Sequence, residues 1–487
     1  MKLSALLDDD VTVVGDADIE IGGICFDTRK LRPGDLYAAI SGNQVDGHVF
    51  IPEALAKGAV ALMGGRSARH YAAAVPVVVD ENPRLRLTRM AARMHPGQPG
   101  TTVAVTGTNG KTSVASFTRQ IWDRLGMRAA SLGTLGVEGK GRWPQTQLTT
   151  PDPVLLHRLA AQLAVAGVDH LVIEASSHGL HQFRLDALTI RAGAFTNISR
   201  DHFDYHGDFE SYFDAKSRLF RELLPTDGTA VLNADVPEFE RLAAIVRERG
   251  IELVDYGRKA RRMRILDVVP HAASQTLKLD IEGRPVTIDT ALVGDFQASN
   301  ILAGLGLAIA GGADMEKALG CLPHLRGAPG RMQLVVKHRS GAPAFVDYAH
   351  TPDALEKALR ALRPHTARLL HVVFGCGGDR DAGKRPLMGR IAGEFADRLY
   401  VTDDNPRNER PAVIRARILA ATPPDRTVEI GDRAEAIRTA FAALEAGDVL
   451  VVAGKGHEAG QIVGTETLPF DDVAELRAAA QCVEGVA

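Results

Sequence analysis

The amino-acid sequence predicts an α/β protein of about three domains, the later two built on doubly wound sheets. Length is the first reason, because 487 residues exceed what one hydrophobic core can serve. Punctuation is the second. Two Pro/Gly clusters, His95-Pro96-Gly97-Gln98-Pro99-Gly100 and Arg326-Gly327-Ala328-Pro329-Gly330-Arg331, read as domain edges and divide the chain into 1–97, 98–329 and 330–487. Patterning is the third: in both later segments short apolar runs alternate with helical periodicity.

Taken in order, 101–105 predicts a strand, 113–125 a helix, and 170–175 and 193–198 further strands. Runs this apolar suit strands buried on both faces of a parallel sheet. The last segment repeats the pattern with strands at 369–374, 399–402 and 449–453, and helices at 412–420 and 434–444. One helix start is explicit: Thr351 can cap, Pro352 fits the first helical position and Asp353 suits the positive end of the dipole. Leu355, Leu359 and Leu362 then share one face.

Composition narrows the function classes. Hydrophobic residues at 45% and charged residues at 24% describe an ordinary globular chain. A net charge of -3 argues against general nucleic-acid binding. The opening Leu3-Ser4-Ala5-Leu6-Leu7 is followed at once by three aspartates, unlike a secretory leader. The most apolar stretch, 301–313, contains four glycines and is too short for a membrane span. A soluble, cytoplasmic protein is expected. Cys25, Cys321, Cys376 and Cys482 lie far apart, which suits a reducing compartment and supports neither a zinc site nor a disulfide framework. Cys376, in a glycine-rich turn, reads better as a small residue at a tight place than as a reactive thiol.

The sharpest signal is Thr106-Gly107-Thr108-Asn109-Gly110-Lys111-Thr112-Ser113, set between the strand 101–105 and the helix that follows. A glycine-rich turn points backbone N–H groups inward, the new helix adds its positive end, Lys111 reaches terminal phosphates and Thr112 can ligate Mg²⁺. The full pattern G-x-x-x-x-G-K-[ST] needs glycine where Val105 stands, so this is a shortened variant. The loop binds ATP. Glu174 ends an apolar strand, where open α/β sheets place ligands, and reads as a metal ligand.

The same loop resembles that of the Mur ligases, the enzymes that build the peptide of bacterial cell-wall precursors. Further markers run the length of the chain: Asp27-Thr28-Arg29, Thr149-Thr150-Pro151, Glu174-Ala175-Ser176-Ser177-His178, Asp201-His202-Phe203-Asp204-Tyr205-His206, Asp347-Tyr348-Ala349-His350 and Asp404-Asn405-Pro406-Arg407. The resemblance implies a small mixed α/β N-terminal domain for the UDP end, a central P-loop-type ATPase domain and a Rossmann-like C-terminal domain. It implies an amide ligase working through an acyl phosphate, which suits a loop that neutralises transferred phosphate.

Site residues follow from the resemblance. Gly107 to Ser113, with Asn300, Arg331, Asp347 and His350, are expected around ATP. Thr112, Glu174 and His202 are expected around Mg²⁺, with Lys216 as a carbamylated lysine holding a second ion. Lys111, His202 and Lys216 form the catalytic set. Taken alone, Lys216 reads as an ordinary helix-surface lysine, and His202 as a polar-loop histidine. Thr28, His48, Thr149, Thr150, Ser177 and Arg184 are expected to hold the muramoyl dipeptide, UDP-N-acetylmuramoyl-L-alanyl-D-glutamate. Arg380, Asp404, Asn405, Pro406, Arg407, Gly454 and Glu458 are expected to hold meso-diaminopimelate. In the family Asp-Asn-Pro-Arg accompanies that amino acid, whereas lysine-adding relatives lack the arginine, so Arg407 is the expected selector. The expected partners are these small molecules alone, for a monomer that binds no nucleic acid and inserts in no membrane. The rival readings are a lysine-adding homologue, a folylpolyglutamate synthetase, and a nucleotide-driven switch or motor.

Overall fold

The computed structural model describes residues 1–42, 45–144, 146, 148–199 and 201–484. The chain forms two compact units, one of 1–254 with 306–314, the other of 255–305 with 315–487.

The first unit opens on a five-stranded sheet. Ile24–Cys25, Leu36–Ala38, Ala61–Gly64 and Val77–Val79 run parallel, and Thr12–Val14 closes one edge antiparallel. This is the mixed α/β element expected at the N-terminus. The phosphate-loop sheet follows. Thr229–Asn233, Ala192–Phe195, Thr101–Thr106, His170–Glu174 and Ala129–Gly133 lie parallel in that order, with Gly136–Gly139 antiparallel at the edge. Ala104, Leu132, Leu171, Ile173 and Phe195 of this sheet pack with Leu156, Leu159 and Leu163 of the helix Pro153–Val165. Thr101–Thr106 sits in the middle, so the loop leaving its carboxyl end opens where such sheets hold ligands.

Most predicted boundaries shift by a residue or two, and two of the shifts have a plain physical reason. The strand expected over 193–198 is Ala192–Phe195. Thr196 and Asn197 turn away to hold the phosphate loop, donating to the Asn109 carbonyl at 2.6 and 3.1 Å. The helix expected from 113 begins at Lys111, because Gly110 caps it in the left-handed region at φ +91°.

In the second unit Gln333–Lys337, Pro343–Asp347, Val449–Ala453, Leu370–Phe374, Arg398–Val401 and Thr427–Glu429 form one sheet, parallel except at the first strand. Alternate residues face opposite cores. Val372 and Val451 pack with Leu355, Leu359 and Met388, whereas Val373 and Val452 pack with Ile437, Ala440 and Leu476. Helices therefore cover both faces, the doubly wound arrangement predicted from the apolar runs. The helix Pro352–Leu362 starts as expected, with Thr351 accepting from the Ala354 amide. The antiparallel meander Met263–His271, Ser274–Ile281 and Arg284–Thr290 escaped the sequence reading, although Gln275, Leu277, Leu279 and Ile281 alternate inward. Among the described residues no helix is long and apolar enough to cross a membrane.

Candidate active site

The phosphate loop is strapped to the segment behind it. Gly107 adopts φ +145°, and a Cβ there would collide with Thr196 Oγ1. The Thr108 amide donates to the Asn197 carbonyl at 2.8 Å, and the Asn109 amide to Asn197 Oδ1 at 3.0 Å. Lys111 folds over the loop, its ammonium donating to the carbonyls of Gly107 and Thr108 at 2.9 Å each. The amides of Lys111, Thr112 and Ser113 open the helix, where backbone donors have no partner within the helix.

Beside the loop stands Glu174, 2% exposed. It accepts from the Thr112 hydroxyl at 3.0 Å, the Thr134 amide at 2.9 Å and the Thr134 hydroxyl at 3.2 Å. Gly133 makes room for this carboxylate, since a Cβ there would occupy the place of Oε1. Two oxygen donors 3.0 Å apart match neighbouring ligands of octahedral Mg²⁺, which lie about 2.9 Å apart for bonds of 2.0–2.1 Å. Among the described residues no three His, Cys, Asp or Glu side chains form a metal cage.

Lys216 corrects the expectation of a surface lysine. It is 1% exposed, donates to the Gly107 carbonyl at 2.8 Å and lies 4.4 Å from the centre of the Tyr212 ring. Lys111 and Lys216 thus share one acceptor. Burial first, and the neighbouring Lys111 charge second, push the Lys216 amine well below the ordinary lysine range. Tyr212 also reaches the loop, its hydroxyl 3.0 Å from Thr108 Oγ1. His202 caps the short helix Phe203–His206 in the left-handed region and faces the rings of His178 and Tyr212. His178 and His206 join that stack, each pushed down to about 4 chiefly by burial. Neither was singled out as a site residue, and nor was Tyr212, although its spacing of four from Lys216 on one helix was readable.

The residues expected to hold the muramoyl dipeptide divide by what their polar atoms do. Thr150 is fully buried, its hydroxyl donating to the Glu174 carbonyl at 2.7 Å and accepting from the Ser176 amide at 2.9 Å. It braces the loop beyond Glu174. Arg184 in turn holds the Thr150 carbonyl at 2.5 Å. Thr149 faces Thr134, hydroxyl to hydroxyl, at 3.0 Å. Ser177 Oγ and His48 Nε2 are buried polar atoms with no protein partner among the described residues, while His48 Nδ1 is fixed by Asp46 at 2.8 Å. Thr28 is buried, its carbonyl taking the Lys57 ammonium at 2.9 Å.

In the second unit the other candidates, Asn300 of the helix Asp295–Ala310 apart, lie at or against the carboxyl ends of parallel strands. Arg407 lies at φ +51°, with its amide on the Ile462 carbonyl at 3.0 Å. Its Nη1 donates to the Gly378 carbonyl at 2.9 Å, and Nε and Nη2 meet no protein acceptor among the described residues. Asn405 is committed to scaffolding. Its Oδ1 accepts from Lys455 at 2.8 Å and the Ile462 amide at 3.0 Å, which turns Nδ2 to Glu458 at 3.0 Å. Gly454 lies against Asp404 Oδ2 and leaves no room for a Cβ. The Pro406 carbonyl packs on Gly378, and Arg380 is exposed on the same loop. Asp347 accepts the Met332 and Ala349 amides at 2.7 and 2.9 Å. Arg331 stacks 4.5 Å over Tyr348, His350 caps the Tyr348 carbonyl at 2.8 Å, and Asn300 is buried against Gln297 at 3.1 Å. Cys376 is buried against Met388, its thiol pushed up to about 11 by burial, which fits an inert packing residue.

A shortened phosphate loop, a buried carboxylate on its helix hydroxyl and a lysine buried beneath it make a site suited to nucleotide phosphates. Family profiles agree over most of the chain: "Mur ligase family, catalytic domain" matches residues 20–95, "Mur ligase middle domain" 105–308 and "Mur ligase, glutamate ligase domain" 330–456. The chain belongs to the Mur ligase family. It is 50% identical over 484 residues, 98% of this chain and 99% of the other, to the UDP-N-acetylmuramoyl-L-alanyl-D-glutamate–2,6-diaminopimelate ligase of Bradyrhizobium diazoefficiens. A solved structure titled as that same enzyme matches at TM-score 0.73 and 32% identity, covering 99% of both chains. A folylpolyglutamate synthase of Mycobacterium tuberculosis matches at TM-score 0.61 and 21% identity over 83% of this chain and 95% of its own, a likeness of fold alone.

Proposed function

We propose that the chain joins meso-2,6-diaminopimelate to the D-glutamate side-chain carboxylate of UDP-N-acetylmuramoyl-L-alanyl-D-glutamate. ATP supplies the driving force through an acyl phosphate, and ADP and phosphate are released, in the synthesis of peptidoglycan precursor for the cell wall. The observation that carries the amino-acid assignment is Arg407, whose planar fork keeps Nε and Nη2 for an incoming carboxylate. Lysine lacks that distal carboxylate.

In this reading residues 1–97 hold the UDP end, 98–329 bind ATP and 330–487 present the amino acid, in a cytoplasmic monomer. Lys111 leaves its loop carbonyls for the transferred phosphoryl group, and the loop amides hold the neighbouring phosphates. Thr112, Glu174 and His202 would hold Mg²⁺ and the carbamylated Lys216 a second ion, which would supply charge neutralisation as phosphate meets carboxylate. Ser177 and His48 offer their unpartnered polar atoms to the muramoyl dipeptide. Gly133→Ala tests the metal assignment. The added methyl displaces Glu174, and the Mg²⁺ concentration for half-maximal rate should rise by about tenfold or more in a metal titration.

Phosphate release with and without each substrate, across a panel of amino acids, tests the whole reading. Release should need both the muramoyl dipeptide and meso-diaminopimelate. Equal rates with L-lysine point to a lysine-adding enzyme, and release without either acceptor to a motor or switch.

A further inference from the structure

The two turns that carry Arg380 and Arg407 are zipped together. The Gly378 amide donates to the Asn405 carbonyl at 2.9 Å, and Asn408 Nδ2 to Asp379 Oδ2 at 2.7 Å. Gly378 has no room for a Cβ against the Pro406 carbonyl, and a Cβ on Gly377 would press on the Arg407 guanidinium. Each turn bends through a non-glycine residue in the left-handed region, Asp379 at φ +52° and Arg407 at φ +51°. Such residues persist only where their surroundings hold them.

Arg407 is held by the Ile462 carbonyl on its amide, and Asp379 by a charge pair. Glu409 Oε1 accepts the Asp379 amide at 2.8 Å, fixing the strained residue directly before Arg380. The same carboxylate receives the Arg385 fork, Nη2 at 2.7 Å on Oε1 and Nη1 at 2.9 Å on Oε2. Arg385 Nη2 also points to the Gly377 carbonyl at 3.4 Å. Arg385 is fully buried in the first turn of the helix Lys384–Phe395, the end of a helix that disfavours a cation. A buried guanidinium at the wrong pole needs a specific partner, and a bidentate carboxylate is the strongest one. The pairing in turn holds the Glu409 carboxyl down to about 2.

We propose that Arg385 and Glu409 are positioning residues for amino-acid selection: their ion pair sets the spacing of the Arg380 and Arg407 turns and so fixes the fork that reads the distal carboxylate. Neither residue touches the amino acid. The inference rests on the proposed function and deepens it.

Glu409→Gln keeps an acceptor for the Asp379 amide but removes the charge. It should raise KM for meso-diaminopimelate about tenfold and lower the preference over L-lysine about tenfold, with KM for ATP and for the muramoyl dipeptide within about twofold. Arg385→Lys should fall between Glu409→Gln and the unmodified enzyme. The double variant Arg385→Gln/Glu409→Gln strands no buried charge, and it should show the same loss of selectivity while melting cooperatively. Unchanged KM and preference for meso-diaminopimelate in a folded variant overturn the clasp alone. So does a parallel rise in all three KM values with a lower melting temperature, which marks general loosening. If the unmodified enzyme does not turn over meso-diaminopimelate, the proposed function falls first and the clasp with it.

Discussion

Arg407→Ala should lower kcat/KM for meso-diaminopimelate by about 10³-fold while leaving ATP binding unchanged. The size follows from what the guanidinium meets. Its Nη1 is anchored on the Gly378 carbonyl, which fixes the plane of the fork and leaves Nε and Nη2 for one carboxylate. Removing the fork leaves that carboxylate desolvated and unpaired, and the cost falls on the complex with diaminopimelate only. L-Lysine has no carboxylate at that end, so its low rate should change little and the preference between the two should nearly vanish. Arg407→Lys should recover only a small part, because an ammonium cannot make two parallel bonds. Steady-state kinetics with each amino acid, alongside nucleotide binding by calorimetry, check the result. Equal kcat/KM for meso-diaminopimelate before and after the change removes Arg407 as selector.

The loop after Thr101–Thr106 and the most apolar strands of both sheets were legible because their signals are local, whereas Ala129–Gly133, Thr229–Asn233, Pro343–Asp347 and Thr427–Glu429 were not read. Apolar runs such as Val449–Ala453 and a Gly-Lys-Thr junction need no tertiary information. The strand end at Phe195 was not, because Thr196 and Asn197 remain β-compatible and turn only to serve the loop at Asn109. Gly133 carries no chemical signal at all; its role is the absence of a Cβ where Glu174 stands. Asn405, expected at the amino acid from its motif, also serves the fold: Lys455 and the Ile462 amide meet its oxygen, and partners fifty or more positions away carry no local signal. The pairing of Arg385 with Glu409 likewise joins residues 24 positions apart and carries no local signal. Lys216 is the clearest case. Its helix is amphipathic in an ordinary way, and only the packing of that helix under Gly107 turns an expected surface lysine into a buried one.

Lys216→Ala should reduce ligase turnover by about 10³-fold, and a small carboxylate such as acetate should restore part of it. The argument starts from the proton. Reaction with CO₂ needs a neutral amine, and burial beside Lys111 keeps Lys216 neutral at pH values where a free lysine is charged. The modified side chain, having given up a proton, would place an anion beside the Lys111 ammonium, which shares the Gly107 carbonyl with it, and the opposite charges attract. Native mass spectrometry in bicarbonate should therefore find the carboxyl adduct on Lys216 and lose it in Lys216→Ala. Stability gives an independent check with a definite sign. The folded pKa is depressed, so the unfolded chain binds a proton that the folded chain rejects, and this penalty grows as pH falls below the ordinary lysine value of 10.5 until the folded pKa is passed. In CO₂-free buffer Lys216→Met should gain stability relative to the unmodified protein as pH is lowered from 10.5 through that window, whatever the packing difference between the two side chains. A difference independent of pH would mean that Lys216 stays protonated in the fold, and carbamylation would then have no neutral amine to act on.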